Sequence, residues 1–355
     1  MRAVVLERPR RLVVREREIP TPGAGELLLE VEGCAIGERD LDSWFYGTGK
    51  IPRVPGCEIV GRVVSSDSVS SDKIVPFFGP RTGSLDSGDR VVVCPYLSTD
   101  PLFGETSFGD GGRAATHRTA GTDDGGVIGF DRDGGWQEYI VVPADQCYRV
   151  SEEWPLLSLL CVPALAEAVS FLEELAVAEG ETVLIAGAEG LGVLTAVAAM
   201  ARGAIPILVD TSEARLEQAA AVGIDNRINP FRSSVPDELE WMTPGGSGWV
   251  DALVETTGQK EALPGMLSVV GSGSRLGFVR PIDFEYSVAT LVDSGLRMVG
   301  LGTLLPAVES AIEILSGTEV GPLVSATFSV VELPERMSGL AASRHAIVKS
   351  AVVFT

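Results

Sequence analysis

A cysteine and a glutamate stand side by side in "PRVPGCEIVG", residues 52 to 61, just after a glycine that closes a strand-like run. Both are residue types that hold zinc, and a catalytic zinc takes three protein ligands chosen among Cys, His and carboxylate. Cys57 and Glu58 supply two at most. A complete site would have to recruit Asp42, Asp40 or Cys161, and each of these suits a plainer role as turn acid, buried hydrogen-bond acceptor or small buried hydrophobe. The expectation is therefore no zinc, with Cys57 and Glu58 as the ligands if zinc is found.

A second stretch carries a different chemistry. "LIAGAEGLGVLTA" sets Gly187, Gly190 and Gly192 between a strand-like and a helix-like run, with Leu191 between the last two, and "ILVD" ends a further strand at Asp210. Glycines let the backbone turn tightly and approach a pyrophosphate, the helix N-terminus offers free N–H groups, and the strand-end acid accepts hydrogen bonds from ribose hydroxyls. The cofactor expected is NAD, because the charge of Asp210 would repel the 2′-phosphate of NADP; NADP is the alternative. Glu189 breaks the pattern. It stands where G-x-G-x-x-G has its second glycine, and a carboxylate there must turn outward or weaken binding, the repulsion at ~4 Å being about 1 kcal/mol in water and more at a drier site. Arg215, five positions into the next helix, is expected to pair with a nearby acid.

The elements that must position these residues change character along the chain. To about residue 150, short β-rich runs ("AVVL", "LLLEVEG", "EIVGRVV", "DRVVVCPY", "QEYIVVP") alternate with Gly, Pro and Asp turns, which suggests an antiparallel, barrel-like domain. From about 155 to 300, strand and helix alternate, as in a doubly wound parallel sheet. A last helix and a final strand, "HAIVKSAVVFT", are too little to fold alone and are expected to return to the first domain. The fold class expected is α/β, with domains at 1–154, completed by 303–355, and at 155–302. The stretch from 99 to 127 is rich in Gly, Thr and Asp without periodicity, and a loop of that length is commonly a functional lid or partly disordered. It holds His117, a minor catalytic candidate.

Composition narrows the function further. The formal net charge of −21 over 355 residues argues against a nucleic-acid partner. Only four residues are lysine, a balance that suits an acidic surface with GC-rich codon usage or an adaptation to high salt. No secretory leader is legible, and the least polar window, "TVLIAGAEGLGVLTAVAAMA", carries an acid and three glycines in its middle, so no membrane span is expected. Five scattered cysteines without a CxxC pair suit a reducing cytoplasm and no disulfide framework.

In family order, "GCAIGERDLD", "PRVPGCEIVGRVV", "SGDRVVVCPY", "RDGGWQEYIVVPAD", "GAEGLG", "VDTSEARLEQAAAVG", "VDALVETTG" and "HAIVKSAVVF" resemble the medium-chain dehydrogenase/reductase superfamily, specifically its zinc alcohol and polyol dehydrogenase branch. The resemblance spans essentially the whole chain. It implies a GroES-like catalytic domain, a Rossmann cofactor domain, an active site in the cleft between them, and a homodimer or homotetramer. It also implies where the metal ligands would stand. Gly37 occupies the first cysteine position, Cys57 the histidine and Val162 the late acid, while Glu58 is kept and Cys34 matches a non-ligand cysteine. The lobe after "CPYL" has none of the four clustered cysteines that hold the family's second zinc. Arg39 replaces the relay threonine, Asp42 the relay histidine, Asp40 matches the kept aspartate, and Lys349 matches a basic residue near the cofactor phosphates.

Without zinc, a side chain must take and return the hydroxyl proton. The catalytic candidates are Arg39 for oxyanion charge, Asp42, Glu58 or Tyr46 for the proton, with an Arg39–Asp42 ion pair as the plainer reading. Glu58 is expected to pair with a neighbouring arginine. The function expected is a zinc-independent, NAD-dependent oxidoreductase interconverting a secondary alcohol, polyol-, cyclitol- or sugar-like, and its ketone. The alternatives are a metal-free NADPH-dependent reductase of conjugated carbonyls or quinones, and a cofactor-binding protein without catalysis.

Overall fold

The computed structural model describes residues 1–66, 85–96, 126–301 and 306–354. His117 and nearly all of the Gly-rich stretch after "CPYL" lie outside the described residues. The chain divides into two units, Met1–Pro163 with Ala326–Ala341 and Ser350–Thr355, and Ala164–Ser325 with Ala342–Lys349.

The first unit opens with a hairpin of β1 (Arg2–Arg8) and β2 (Arg11–Glu16), in which Leu6 faces Leu12. Next come β3 (Glu26–Ile36), α1 (Glu38–Tyr46), β4 (Glu58–Ser66), β5 (Arg90–Val93), β6 (Tyr139–Pro143), β7 (Cys147–Arg149) and the short α2 (Leu156–Leu159). Pairing of β3 with β4 and β6, of β4 with β5, and of β5 with β7 is antiparallel throughout. Among the described strands only β1 and β2 are joined by a tight hairpin; the other pairs form between strands separated by longer stretches of chain. β5, between β4 and β7, reads RVVV with every residue buried, as a strand covered on both faces should.

The second unit holds α3 (Val162–Glu174), β8 (Thr182–Ala186), α4 (Gly190–Ala201), β9 (Ile205–Val209), α5 (Glu213–Ala220), β10 (Arg227–Ile228), α6 (Val235–Met242), β11 (Val250–Glu255), α7 (Leu263–Leu267), β12 (Val270–Phe278), α8 (Val288–Ser294), β13 (Arg297–Gly300) and α9 (Val308–Leu315). Its six strands run in the order β10-β9-β8-β11-β12-β13, all parallel. The chain winds outward from β8 in one direction, then returns to β11 and winds in the other. A ligand site is expected beyond the carboxyl ends of the strands at that switch, between β8 and β11. The core beneath is built from Leu184, Ile207, Val209, Leu253 and Leu276, all under 2% exposed.

The last elements are β14 (Val324–Phe328), α10 (Leu333–Ala342) and β15 (Lys349–Val353). β15 pairs with β3, Val352 opposite Cys34, and β14 lies outside it. The division differs from the expected boundaries in three respects, one being that Ala342–Lys349, expected in the first domain, belongs to the second unit. The segment from 306 to 325, assigned above to the first domain, belongs to the second unit, because the Ala307 amide donates to Ala166 O at 3.1 Å and to Ser170 Oγ at 3.0 Å on α3. The first boundary likewise moves from 154 to 163.

Candidate active site

The turn after β8 is shaped by its backbone. Gly187 has φ 108°, a left-handed value that favours glycine, and its N–H donates to Val209 O at 2.8 Å. A Cβ on Gly192 would stand 2.0 Å from Gly187 O, so the start of α4 can pack this closely on the turn only with glycine there. The first-turn N–H groups of Gly190, Leu191 and Gly192 have no helical acceptor behind them and face the site where an anion is favoured. A Cβ on Gly190 would be 3.8 Å from Lys349 Nζ, which brings the last predicted cofactor residue to the same helix end.

Asp210 closes the site from the end of β9. Its Oδ2 accepts from Ala188 N and its Oδ1 from Ser212 N, both at 2.7 Å, which ties the second strand to the glycine turn. Arg215 Nη1 lies 3.6 Å from Asp210 Oδ2, the acid partner expected for it, and the same guanidinium donates to Ile347 O at 3.3 Å. A dinucleotide fits this cradle: a tight glycine turn on which the helix packs closely, first-turn N–H groups without a helical acceptor, and a strand-end acid.

Glu189 requires a correction. It neither turns outward nor reaches solvent. The side chain folds beneath the turn, 5% exposed, so that a Cβ on Gly187 would come within 2.4 Å of its Oε2. Burial holds its carboxyl above the ordinary value against the pull of Arg280 and Arg215.

The first unit gathers the other candidates around the start of α1. Gly37 caps the helix, and Asp40, 3% exposed, accepts from Gly37 N at 3.0 Å through Oδ2 and from Gly56 N at 3.1 Å through Oδ1. That carboxylate therefore pins the "PGCE" turn to the helix. The turn is held on its other side by Gly134 N to Val54 O at 2.7 Å and Gly135 N to Gly56 O at 2.9 Å. Burial, with Glu58 nearby, pushes Asp40 up to about 6. Cys34 and Cys57 are buried thiols pushed well up, by burial first and Asp40 second.

Zinc does not fit this donor set. Gly37 offers no side chain and Val162 only an apolar one. Both oxygens of Asp40 already accept backbone N–H groups, and Cys161 Sγ donates to Leu157 O at 3.6 Å. Among the described residues, no group of three or more His, Cys, Asp or Glu side chains is placed to hold a metal ion.

The catalytic candidates separate. Asp42 is half-buried on α1, and Glu58 opens β4 with Oε1 within 3.0 Å of where a Cβ on Gly37 would be. Tyr46 sits in the last turn of α1, 64% exposed and packed edge-on against Phe45; six residues beyond Asp40, it is about 9 Å further along the axis. Arg39 has a partner that sequence reasoning missed. Its Nη2 donates to the Tyr96 hydroxyl at 2.8 Å, and its guanidinium lies 5.4 Å from the centre of that ring. The only sequence trace of Tyr96 is the "CPY" that follows β5.

A β-rich GroES-like unit and a Rossmann unit with a glycine-rich dinucleotide turn define a nicotinamide-dependent dehydrogenase. Comparison with known proteins agrees. Residues 23–152 match the alcohol dehydrogenase GroES-like domain and residues 190–315 the zinc-binding dehydrogenase family. An uncharacterized zinc-type alcohol dehydrogenase-like protein of Haemophilus influenzae is 29% identical, covering 100% of this chain and 99% of its own. L-threonine 3-dehydrogenase of Pyrococcus horikoshii is 30% identical over 74% of this chain and 71% of its own. A putative zinc-binding dehydrogenase from Sinorhizobium meliloti, solved bound to NADP, superposes with TM-score 0.82 at 24% identity over 99% of both chains. The chain belongs to the medium-chain dehydrogenase/reductase superfamily, in its zinc-type alcohol dehydrogenase-like branch, and is an NAD(P)-dependent enzyme of that type.

Proposed function

We propose that this enzyme is a zinc-independent, NAD-dependent oxidoreductase that interconverts a secondary alcohol of polyol, cyclitol or sugar type with its ketone. The observation that carries the reading is that the family's ligand positions hold Gly37, Cys57 and Val162 while the dinucleotide turn keeps Gly187, Gly192 and Asp210. The named relative that acts on threonine and the zinc-type relative support an alcohol substrate. When bound, the nicotinamide supplies or accepts the hydride.

The chain's own residues must then handle the proton. Tyr96 accepts the Arg39 N–H, and the guanidinium would stabilise a phenolate if the phenol proton were passed to substrate. In this reading Tyr96 takes the proton role first assigned to Tyr46. Asp42 and Glu58 remain candidates for passing the proton on.

NADP is the second reading, favoured by Arg215, which stands 3.6 Å from Asp210 and offsets its charge. We expect a cytoplasmic homodimer or homotetramer. Among the described residues no helix is long and apolar enough to cross a membrane, β13 is an edge strand, and Val288 and Val292 of α8 are both 72% exposed.

The test is metal analysis of protein expressed with zinc present, beside calorimetric titration with NAD and NADP. Near-zero zinc with NAD binding, and turnover on an alcohol panel, is the expected result. One zinc per chain would overturn zinc independence, and binding without turnover would favour a non-catalytic binder.

A further inference from the structure

Glu189 is left without a role by the dinucleotide reading. It is the N-cap residue of α4, where a polar side chain ordinarily accepts an N–H of the first turn, yet it makes no such bond. Its Oε2 lies over Gly187 instead, beside Thr256: a Cβ on that glycine would meet Oε2 at 2.4 Å and Thr256 Oγ1 at 2.6 Å.

The Thr256 hydroxyl has a single proton and stands 2.7 Å from Ala186 O, an atom that can only accept. Toward Glu189 the hydroxyl therefore presents a lone pair. A hydrogen bond between the two side chains needs its proton on Glu189. The second oxygen, Oε1, is buried and has no hydrogen-bond partner, a position far more costly for a carboxylate than for a carboxylic acid.

The charges around it do not remove that cost. Arg280 and Arg215 act favourably on an ionised Glu189, and Lys349 Nζ is near Gly190. Opposing them are Asp210, bonded to the Ala188 amide next in the turn, and Glu255, whose carboxylate holds the Thr257 and Gly258 amides at the end of β11.

We propose that Glu189 links dinucleotide binding to a proton: the turn accepts the cofactor pyrophosphate with Glu189 neutral, and binding takes up one proton wherever the free protein carries it ionised. This rests on the dinucleotide reading above. A pyrophosphate anion beside the turn makes an ionised Glu189 still less favourable, so each ligand state shifts the other. The proton comes from solvent, and no bond to the cofactor is made or broken. Affinity is greatest with Glu189 protonated and falls as pH rises through its ionisation, by up to tenfold per pH unit.

The experiment is calorimetric titration of the whole protein with NAD from pH 6 to 9, in two buffers of different ionisation enthalpy, for the wild type and Glu189→Gln. The expected result for the wild type is proton uptake rising toward one per site, with affinity falling as pH rises. Glu189→Gln should bind without that uptake and about tenfold more tightly than wild type at the alkaline end. The wild-type measurement stands even if the variant does not fold. Wild-type affinity flat in pH with no proton uptake, or the same uptake in Glu189→Gln, would overturn the inference alone. No binding of NAD or NADP at any pH would overturn the dinucleotide reading, and this inference with it.

Discussion

The turn at 187–192 and the turn at 55–58 are both glycine bends beside a strand, and both have exchanged a residue at the position the family's chemistry uses. The consequences differ. At 187–192 the working parts are backbone N–H groups, so Glu189 can fold inward over Gly187 without removing them. At 37–58 the working parts would be side-chain donors, and among the described residues no group of three or more His, Cys, Asp or Glu is placed to hold a metal ion. A site made of backbone depends less on any one side chain than a site made of side-chain donors does.

Four measurements would break or sharpen that comparison. The largest effect is expected at Tyr96. If side chains other than metal ligands carry the chemistry of the first unit, Tyr96→Phe should lower kcat by about 10²- to 10⁴-fold with unchanged NAD affinity, the range for a general acid–base group. Steady-state kinetics beside calorimetric titration check this, and a fall of less than threefold would remove Tyr96 from the proton path.

The backbone cradle should fail where a Cβ cannot fit. Gly192→Ala places a methyl 2.0 Å from Gly187 O, and overpacking of that kind costs about 1–3 kcal/mol. Cofactor affinity should drop by roughly 10- to 100-fold, while circular dichroism shows a folded protein.

Asp40 tests the hinge of the other turn. Its folded value of about 6 lies above the ordinary aspartate value, so the native state binds the proton more tightly than the unfolded chain. The stability it contributes is fully present below about pH 4 and is lost as pH rises through about 6, roughly 3 kcal/mol in all and about 1 kcal/mol between pH 5 and 8. Urea melts at pH 5 and pH 8 should show that difference for the wild type relative to Asp40→Asn. Equal pH slopes for the two proteins would show that Asp40 is not the group responsible.

The smallest effect belongs to the cysteine with which the sequence reading began. Cys57→Ala should leave metal content unchanged and shift kcat by less than about threefold, the cost being about 1 kcal/mol of stability from a small buried side chain. A hundredfold loss of activity together with loss of bound zinc would restore Cys57 as a ligand.

Much of the frame was legible because it rests on local periodicity. The valine-rich runs of β4 and β5, the hairpin of β1 and β2, and the alternation from β8 to β13 each follow from residues next to one another. α3 was not legible in the same way: from Val162 to Leu172 it is buried at every position but Glu167, so it shows no polar stripe to mark a helical period. Missing that helix also misplaced 306–325, whose anchor is the pair of hydrogen bonds from Ala307 to α3. The Arg39–Tyr96 pair spans 57 positions, a distance at which spacing carries no information.

The sequence by itself determined the two architectures and the glycine-rich turn with its acid at Asp210, because these depend on which residues are present and how neighbours repeat. Tertiary structure decided which way Glu189 folds, that Asp40 joins α1 to the "PGCE" turn, and that Arg39 meets Tyr96 while Tyr46 stays exposed. The physical reason is that burial and long-range hydrogen bonds set the charge state and partners of a side chain, and both exist only once strands distant in sequence have packed.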